Sequence, residues 1–447
     1  MAPIPDLRAA LARILPEIRT DLEALVRIPS VSADPSASAA MRESAEAVAA
    51  RLTAAGLDDV EVVAVEGGHP AVLGRRAAPA GAPTVLLYAH HDVQPPGDAG
   101  DWVSDPFAPT ERDGRLFGRG AADDKAGIAV HLAALRALGD DLAVGVTVLV
   151  EGEEEIGSPT LDRLLATLGD RVATDIIVLT DSTNWRIGVP ALTTSLRGGF
   201  TTVVEVRTLD HPVHNGVYGG PVPDALTALV RLLATLHDEH GDVAVDGLWR
   251  TPSDPLDLTD GQLRADAGMI DGVQMIGTGT LTSRLWTAPA ISVAGIDAPT
   301  VDAAPMTLCP SARAKLTLRI GPGGDIDTAR EALAAHLRTH APWGASVTVT
   351  AGGGVKPFAT PTGGRAYTAA REAMAQAWGT DPVDAGVGGS INFVNVIAAR
   401  FPEAEILITG VEDPDTRAHG PNESLHLAEF ERACLAEALL LARLGSA

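Results

Sequence analysis

Leu7, Leu11, Ile14, Leu15, Ile18, Leu22 and Leu25 recur at helical spacing and predict an amphipathic first helix, with Pro16 as a break or a new first turn. A second helix is expected over 41–55, stopped by Gly56. Short apolar runs at 60–65, 71–73 and 85–89 read as strands, and a helix follows at 127–138. The run 146–150 reads as a buried strand, 158–168 as a helix and 176–179 as another strand. Such alternation is the mark of an α/β domain with a largely parallel sheet and helices on both faces.

The pattern changes after Arg197-Gly198-Gly199. Residues 201–206 and 313–320 alternate in polarity, as half-exposed strands do. Residues 224–240 and 326–337 have helical periodicity, 347–350 reads as a strand, and 252–304 is rich in Gly, Pro, Asp and Thr with little period. These elements predict a smaller α+β domain at 198–354 inserted into a discontinuous main domain formed by 1–197 and 355–447, with Gly352-Gly353-Gly354 as the exit hinge. A helix at 366–378, a strand at 406–409 and a last helix at 427–444 would complete the main domain. No repeat or low-complexity tail interrupts the pattern.

Composition narrows the picture. The 447 residues are 46% hydrophobic but only 4% aromatic, so the cores must be mostly aliphatic. With 58 acidic against 34 basic residues the formal net charge is -24, which argues against nucleic acid or an anionic membrane as partner. Cys309 and Cys434 are the only cysteines and form no metal or redox motif, which points to a reducing, cytoplasmic setting. The N-terminal segment mixes acids into its apolar positions, unlike a signal peptide, and no run of apolar residues is long enough to span a bilayer.

The candidate chemistry sits at strand ends. An apolar strand runs into His90-His91-Asp92-Val93-Gln94-Pro95; His90 and Asp92 share a face, so a carboxylate could steady the imidazole of a metal-bound His90. In Gly118-Arg119-Gly120-Ala121-Ala122-Asp123-Asp124-Lys125, an acidic pair opens a helix; such an acid can be a simple cap or a ligand bridging two metals. Glu151-Gly152-Glu153-Glu154-Glu155 crowds carboxylates at the end of a buried strand, which is costly without a cation. Asp181 follows another buried strand, at the edge where ligands gather in open α/β sheets. His419 lies in the loop Arg417-Ala418-His419-Gly420-Pro421-Asn422-Glu423, where a histidine on its own is commonly structural. Imidazoles and carboxylates without thiolates suit zinc, manganese or cobalt.

In this order the motifs HHDVQP, GRGAADDKAG, EGEEEIGS, TDSTN, HNGVYGG and AHGPNE resemble the metallopeptidase family of carnosinase-type dipeptidases, acetylornithine deacetylase, succinyl-diaminopimelate desuccinylase and carboxypeptidase G. The resemblance covers most of the chain and is nearest to the carnosinase-like branch. It implies two divalent ions per chain, zinc first, with His90 and Asp181 on one, Glu155 and His419 on the other, and Asp123 between them. It implies Asp92 as orienter of His90 and Glu154 as general base, leaving Glu153 outside the pair. It makes the insert a lid and dimerisation domain, with His214 of a homodimer partner steadying the oxyanion in trans. Arg319, Gly389 and Ser390 would bind the substrate carboxylate. The implied activity is hydrolysis of dipeptides or other short peptide-like amides with a free carboxylate. One departure stands out: where the dipeptidase pattern has an acid for the substrate's α-amine, this chain has Val387, and Asn392 replaces a proline nearby. That keeps an N-acyl-amino-acid deacylase as an alternative activity. A non-catalytic metal-binding scaffold and a single-metal hydrolase are the remaining readings.

Overall fold

The mostly aliphatic runs at 85–89, 146–150 and 176–179 become the centre of a six-stranded sheet, because strands covered on both faces need side chains that are largely apolar on both. In the computed structural model, which describes residues 6–253 and 256–446, the chain divides into two compact units. The first comprises residues 1–194, 360–385 and 391–447, and the second 195–359 and 386–390. The five-residue segment 386–390 therefore belongs with the inserted part although the chain on both sides of it does not.

In the first unit the strand order is Asp59–Val63, Ala71–Arg76, Gly145–Glu151, Thr84–His90, Ile176–Thr180, Glu405–Thr409. The last four run parallel and the first two pair antiparallel at one edge. All seven residues of Gly145–Glu151 are buried. Helix Lys125–Leu138 packs on Thr84–His90 and against helices Leu7–Val26 and Leu427–Gly445. The fold is thus α/β with a largely parallel sheet.

Leu7–Val26 is one helix with Pro16 inside it, not two. Its buried stripe of Leu7, Leu11, Ile18, Leu22 and Leu25 is continuous across the proline, and that burial outweighs the missing backbone hydrogen bond. The helix expected at 224–240 ends earlier, as Ala225–Ala234. A helix that the periodicity does not reveal spans Asn392–Arg400.

The second unit holds an antiparallel sheet in the order Ala290–Asp297, Ser311–Ile320, Gly198–Arg207, Ser346–Val355. Ser311–Ile320 alternates exposed and buried residues along almost its whole length, and the inward set meets helices Ala225–Ala234 and Ile326–Thr339 in a core that includes Phe200, Val204, Leu229, Leu316, Leu318 and Leu333. Gly352-Gly353-Gly354 is not an exit hinge: it lies within Ser346–Val355 at a register shift between Ala351 and Gly354. A Cβ at Gly352 would meet Thr201 Oγ1 at 2.2 Å, so glycine is there to let two strands approach.

Candidate metal centre

Four loops at the carboxyl ends of the parallel strands, and a fifth running into the helix Lys125–Leu138, bring the acids and imidazoles of the first unit together. His90 ends strand Thr84–His90, Asp181 follows Ile176–Thr180, and Glu154 and Glu155 form the turn after Gly145–Glu151. Asp123 precedes helix Lys125–Leu138, in a loop where the Asp123–Asp124 peptide is cis. His419 sits in the left-handed region (φ 63°) between Glu405–Thr409 and Ser424–His426.

The two carboxylate oxygens of Asp123 face different imidazoles. Oδ1 is 3.2 Å from His90 Nε2, and Oδ2 is 3.0 Å from His419 Nε2. Asp181 Oδ1 is 3.9 Å from His90 Nε2, and Glu155 Oε2 is 3.3 Å from His419 Nε2. Two donor sets result, His90–Asp123–Asp181 and Asp123–Glu155–His419, each with its ligand atoms within 4.8 Å of one another, and Asp123 belongs to both. His90 Nε2 is buried and, despite its neighbours, makes no hydrogen bond. An orphaned imidazole nitrogen facing two carboxylates fits a divalent cation, and nitrogen with oxygen donors suits zinc, manganese or cobalt.

Around these residues the structure shows supports. His90 Nδ1 lies 3.0 Å from the backbone oxygen of Asp92 and 3.4 Å from its Oδ1, so the carbonyl is the nearer acceptor. The Asp92 carboxylate instead takes hydrogen bonds from the backbone N–H groups of Glu154 (3.3 Å) and Glu155 (3.1 Å), which fixes the acidic turn. Gln94 donates from its backbone to Glu155 Oε1 (3.1 Å) and from its amide to Oε2 (2.8 Å). Glu153 is buried and structural: it accepts from His69 N and from the backbone and hydroxyl of Thr160. Asn392 gains a role as well, its amide donating to the Gly157 carbonyl at 3.2 Å, just beyond that turn.

Glu423, the last residue of the AHGPNE motif, to which the sequence assigned no role, organises the loop of Asp123. Its buried carboxylate accepts from the N–H groups of Gly120 (3.0 Å), Ala122 (3.0 Å) and Asp123 (3.1 Å) and pairs with Arg119 Nη1 at 2.5 Å. Glu423→Gln is expected to weaken metal binding by about 10–100-fold, the usual effect of removing a group that orders a ligand. A competition titration of metal affinity beside a thermal melt checks this: a lower Tm with unchanged affinity would limit Glu423 to a stabilising role.

The charges are strongly coupled. Burial pushes the Glu154 carboxyl well above its ordinary range, reinforced by Asp181, Glu155 and Asp123 and opposed by His90. Asp181 rises to about 6, through burial held back by His90. Burial works against a charged His90, but Asp123, Asp181 and Asp92 more than reverse it and hold the imidazole well above its usual value. Contacts to Asp123 and Glu155 raise His419 to about 11. Glu412, likewise assigned no role from the sequence, is held up by burial and then by the charges of Asp123 and Asp181.

The remaining predicted residues lie in the second unit. His214 is exposed, its Nδ1 accepting from Gly216 N (3.0 Å) at the start of the short helix Asn215–Tyr218. Arg319 Nη1 donates to Ser390 Oγ at 2.9 Å, so those two meet, with Gly389 beside Ser390 in the segment 386–390.

Peptidase family M20/M25/M40 matches residues 86–443 of the chain. A cysteinylglycine-S-conjugate dipeptidase of Corynebacterium striatum is 37% identical over 415 residues, covering 90% of each protein. The human Beta-Ala-His dipeptidase is 27% identical, over 80% of this chain and 74% of its own. Among solved structures, human carnosine dipeptidase 1 superposes with a TM-score of 0.85 at 24% identity over 100% of both chains. The dipeptidase Dug1p of Saccharomyces cerevisiae does so with 0.83 at 22%, over 99% of this chain and 98% of its own.

Proposed function

The chain belongs to peptidase family M20/M25/M40, and from that premise we propose that it hydrolyses the amide bond of dipeptides and other short peptide-like substrates with a free carboxylate. The observation that carries this reading is the double exposure of Asp123, one oxygen toward His90 and Asp181 and the other toward His419 and Glu155. Those five residues would hold two divalent ions, zinc first, with manganese and cobalt suited by the same donors. Bound ions supply Lewis acidity, lowering the pKa of water and polarising the scissile carbonyl.

Glu154 takes the proton of the attacking water and delivers it to the leaving amine. Its raised proton affinity suits that exchange, and no hydrogen bond from a neighbouring side chain ties its carboxylate elsewhere among the described residues. Asp92 keeps Glu154 in place through its backbone N–H and steadies His90. His214, from a second copy of the chain in a homodimer, stabilises the charge that develops on the carbonyl oxygen. Its exposure leaves Nε2 available for that task. Arg319, Ser390 and the backbone at Gly389 receive the substrate carboxylate. Both cysteines are free, which accords with a reducing cytoplasm. Among the described residues no helix is long and apolar enough to cross a membrane.

Val387 favours a second reading. An apolar side chain stands where an acid would hold a free α-amine, and this suits an acylated nitrogen, as in an N-acyl-amino-acid deacylase. Turnover of Cys-Gly and β-Ala-His with zinc, manganese and cobalt in turn, beside their N-acetylated forms, separates the two. The dipeptidase predicts that the free peptides are cleaved at least about tenfold faster, a difference of about 1.4 kcal/mol in transition-state binding. The reverse order would make the protein a deacylase, and no turnover of either set would remove the proposal.

A further inference from the structure

Arg197 is a guanidinium that nothing in the catalytic scheme uses. It lies at the start of the second unit, half-buried between Ala191–Leu196 and Gly198–Arg207. Its hydrogen bonds are poor: Nη1 reaches the carbonyls of Arg284 at 3.5 Å and Ala288 at 3.4 Å, and Nε is buried with no partner. The segment 386–390 presses on its outer edge, since a Cβ at Gly388 would stand 2.7 Å from Nη2. Ser390 links it to Arg319: the Ser390 hydroxyl donates to the Arg197 carbonyl (2.6 Å) and accepts from Arg319 Nη1 (2.9 Å). Among the described residues neither arginine is paired with a carboxylate.

Ser390 thus touches one arginine by its backbone carbonyl and the other by its guanidinium, and with no acid paired to either, the two cations lack a counter-ion. Like charges side by side destabilise each other, and a cation withdrawn from water loses hydration that only a partner restores. The effect is visible on Arg197, which burial and then the charge of Arg319 bring down to about 10. It nevertheless stays protonated at neutral pH. Gly388 faces Arg197 without a side chain, which is what lets the loop lie against the guanidinium edge.

We propose that Arg197 is the second cation of the substrate-carboxylate seat, shared with Arg319 and Ser390, and that it makes the seat select a carboxylate over a neutral carboxamide. This rests on the dipeptidase reading for the substrate's identity, but the seat itself is defined by its charge. A planar guanidinium can meet a carboxylate through parallel N–H groups, which neither a lysine nor a glutamine reproduces. Arg197 binds and does not react, so its loss falls on substrate binding.

The test compares a dipeptide with its C-terminal carboxamide on the metal-loaded full chain. Arg197→Gln is expected to raise KM for the dipeptide by about 10–100-fold, with kcat within about threefold and with the carboxamide's kcat/KM nearly unchanged. Arg197→Lys, which keeps the charge but not the fork, should fall between. Calorimetric binding of free alanine and alaninamide gives a readout independent of turnover: the wild type binds alanine more tightly, and both variants narrow the gap. Equal losses for carboxylate and carboxamide would make Arg197 merely structural and overturn the proposal, as would variants that bind alanine like the wild type. If the wild type cleaves no dipeptide, the activity assigned above fails while the alanine comparison still decides the seat. If Arg197→Gln does not fold, Arg197→Lys decides it.

Discussion

Glu154→Gln should lower kcat by about 10³-fold, within the 10²–10⁴-fold range that a positioned general base contributes, while the bound metal stays in place. The two effects separate because Glu154 is in neither donor set; those consist of His90, Asp123 and Asp181, and of Asp123, Glu155 and His419. Glutamine keeps the shape and the backbone hydrogen bond to Asp92, so the turn that carries Glu155 is preserved. KM should change little. Steady-state kinetics with metal analysis on the same preparation check this. Activity within tenfold of the wild type would take the base role away from Glu154, and loss of metal along with activity would make it a ligand.

Chelation is expected to remove turnover below about 1% of the loaded enzyme, and zinc, manganese or cobalt to restore it. Its pH dependence follows from the imidazoles. His90 and His419 both have raised proton affinity, the first against burial through Asp123, Asp181 and Asp92, the second to about 11 through Asp123 and Glu155. A metal needs each imidazole neutral, so protons compete with it across the whole neutral range. Apparent affinity should therefore fall as pH falls, by about tenfold per pH unit for each imidazole that must lose a proton. Calorimetry in buffers of different ionisation enthalpy would count the protons released on metal uptake. Uptake without proton release would contradict the assignment of His90 and His419 as ligands.

Much of this site is legible because buried parallel strands are simple to read. Residues 85–93 and 146–155 change from mostly apolar to polar within one or two positions, and that step by itself puts His90, Glu154 and Glu155 at one sheet edge. The partners that hold these residues are harder to see. Glu423 reaches Asp123 across 300 residues, and Gln94 reaches Glu155 across 61, and nothing local in either residue signals the contact. Arg197 belongs to the same class, since its meaning lies in the acid that is not beside it. Helix Asn392–Arg400 is hard to find because it starts from a glycine-rich turn with no capping side chain. The unperiodic stretch at 252–304 contains helices Asp260–Asp266 and Leu281–Trp286 and the mostly exposed strand Ala290–Asp297, whose apolar residues face both ways. Pro16 and Gly352-Gly353-Gly354 mislead for a common reason: local punctuation carries no trace of the packing that overrides it.

The central claim is that Asp123 joins two cation sites, and anomalous diffraction from crystals grown with saturating zinc tests it most directly. The expected map has two peaks about 3.5–4 Å apart. One is bonded to His90 Nε2, Asp181 and one Asp123 oxygen, and the other to His419 Nε2, Glu155 and the second Asp123 oxygen. A single peak, or metal that leaves either Asp123 oxygen unbonded at saturation, would contradict the account.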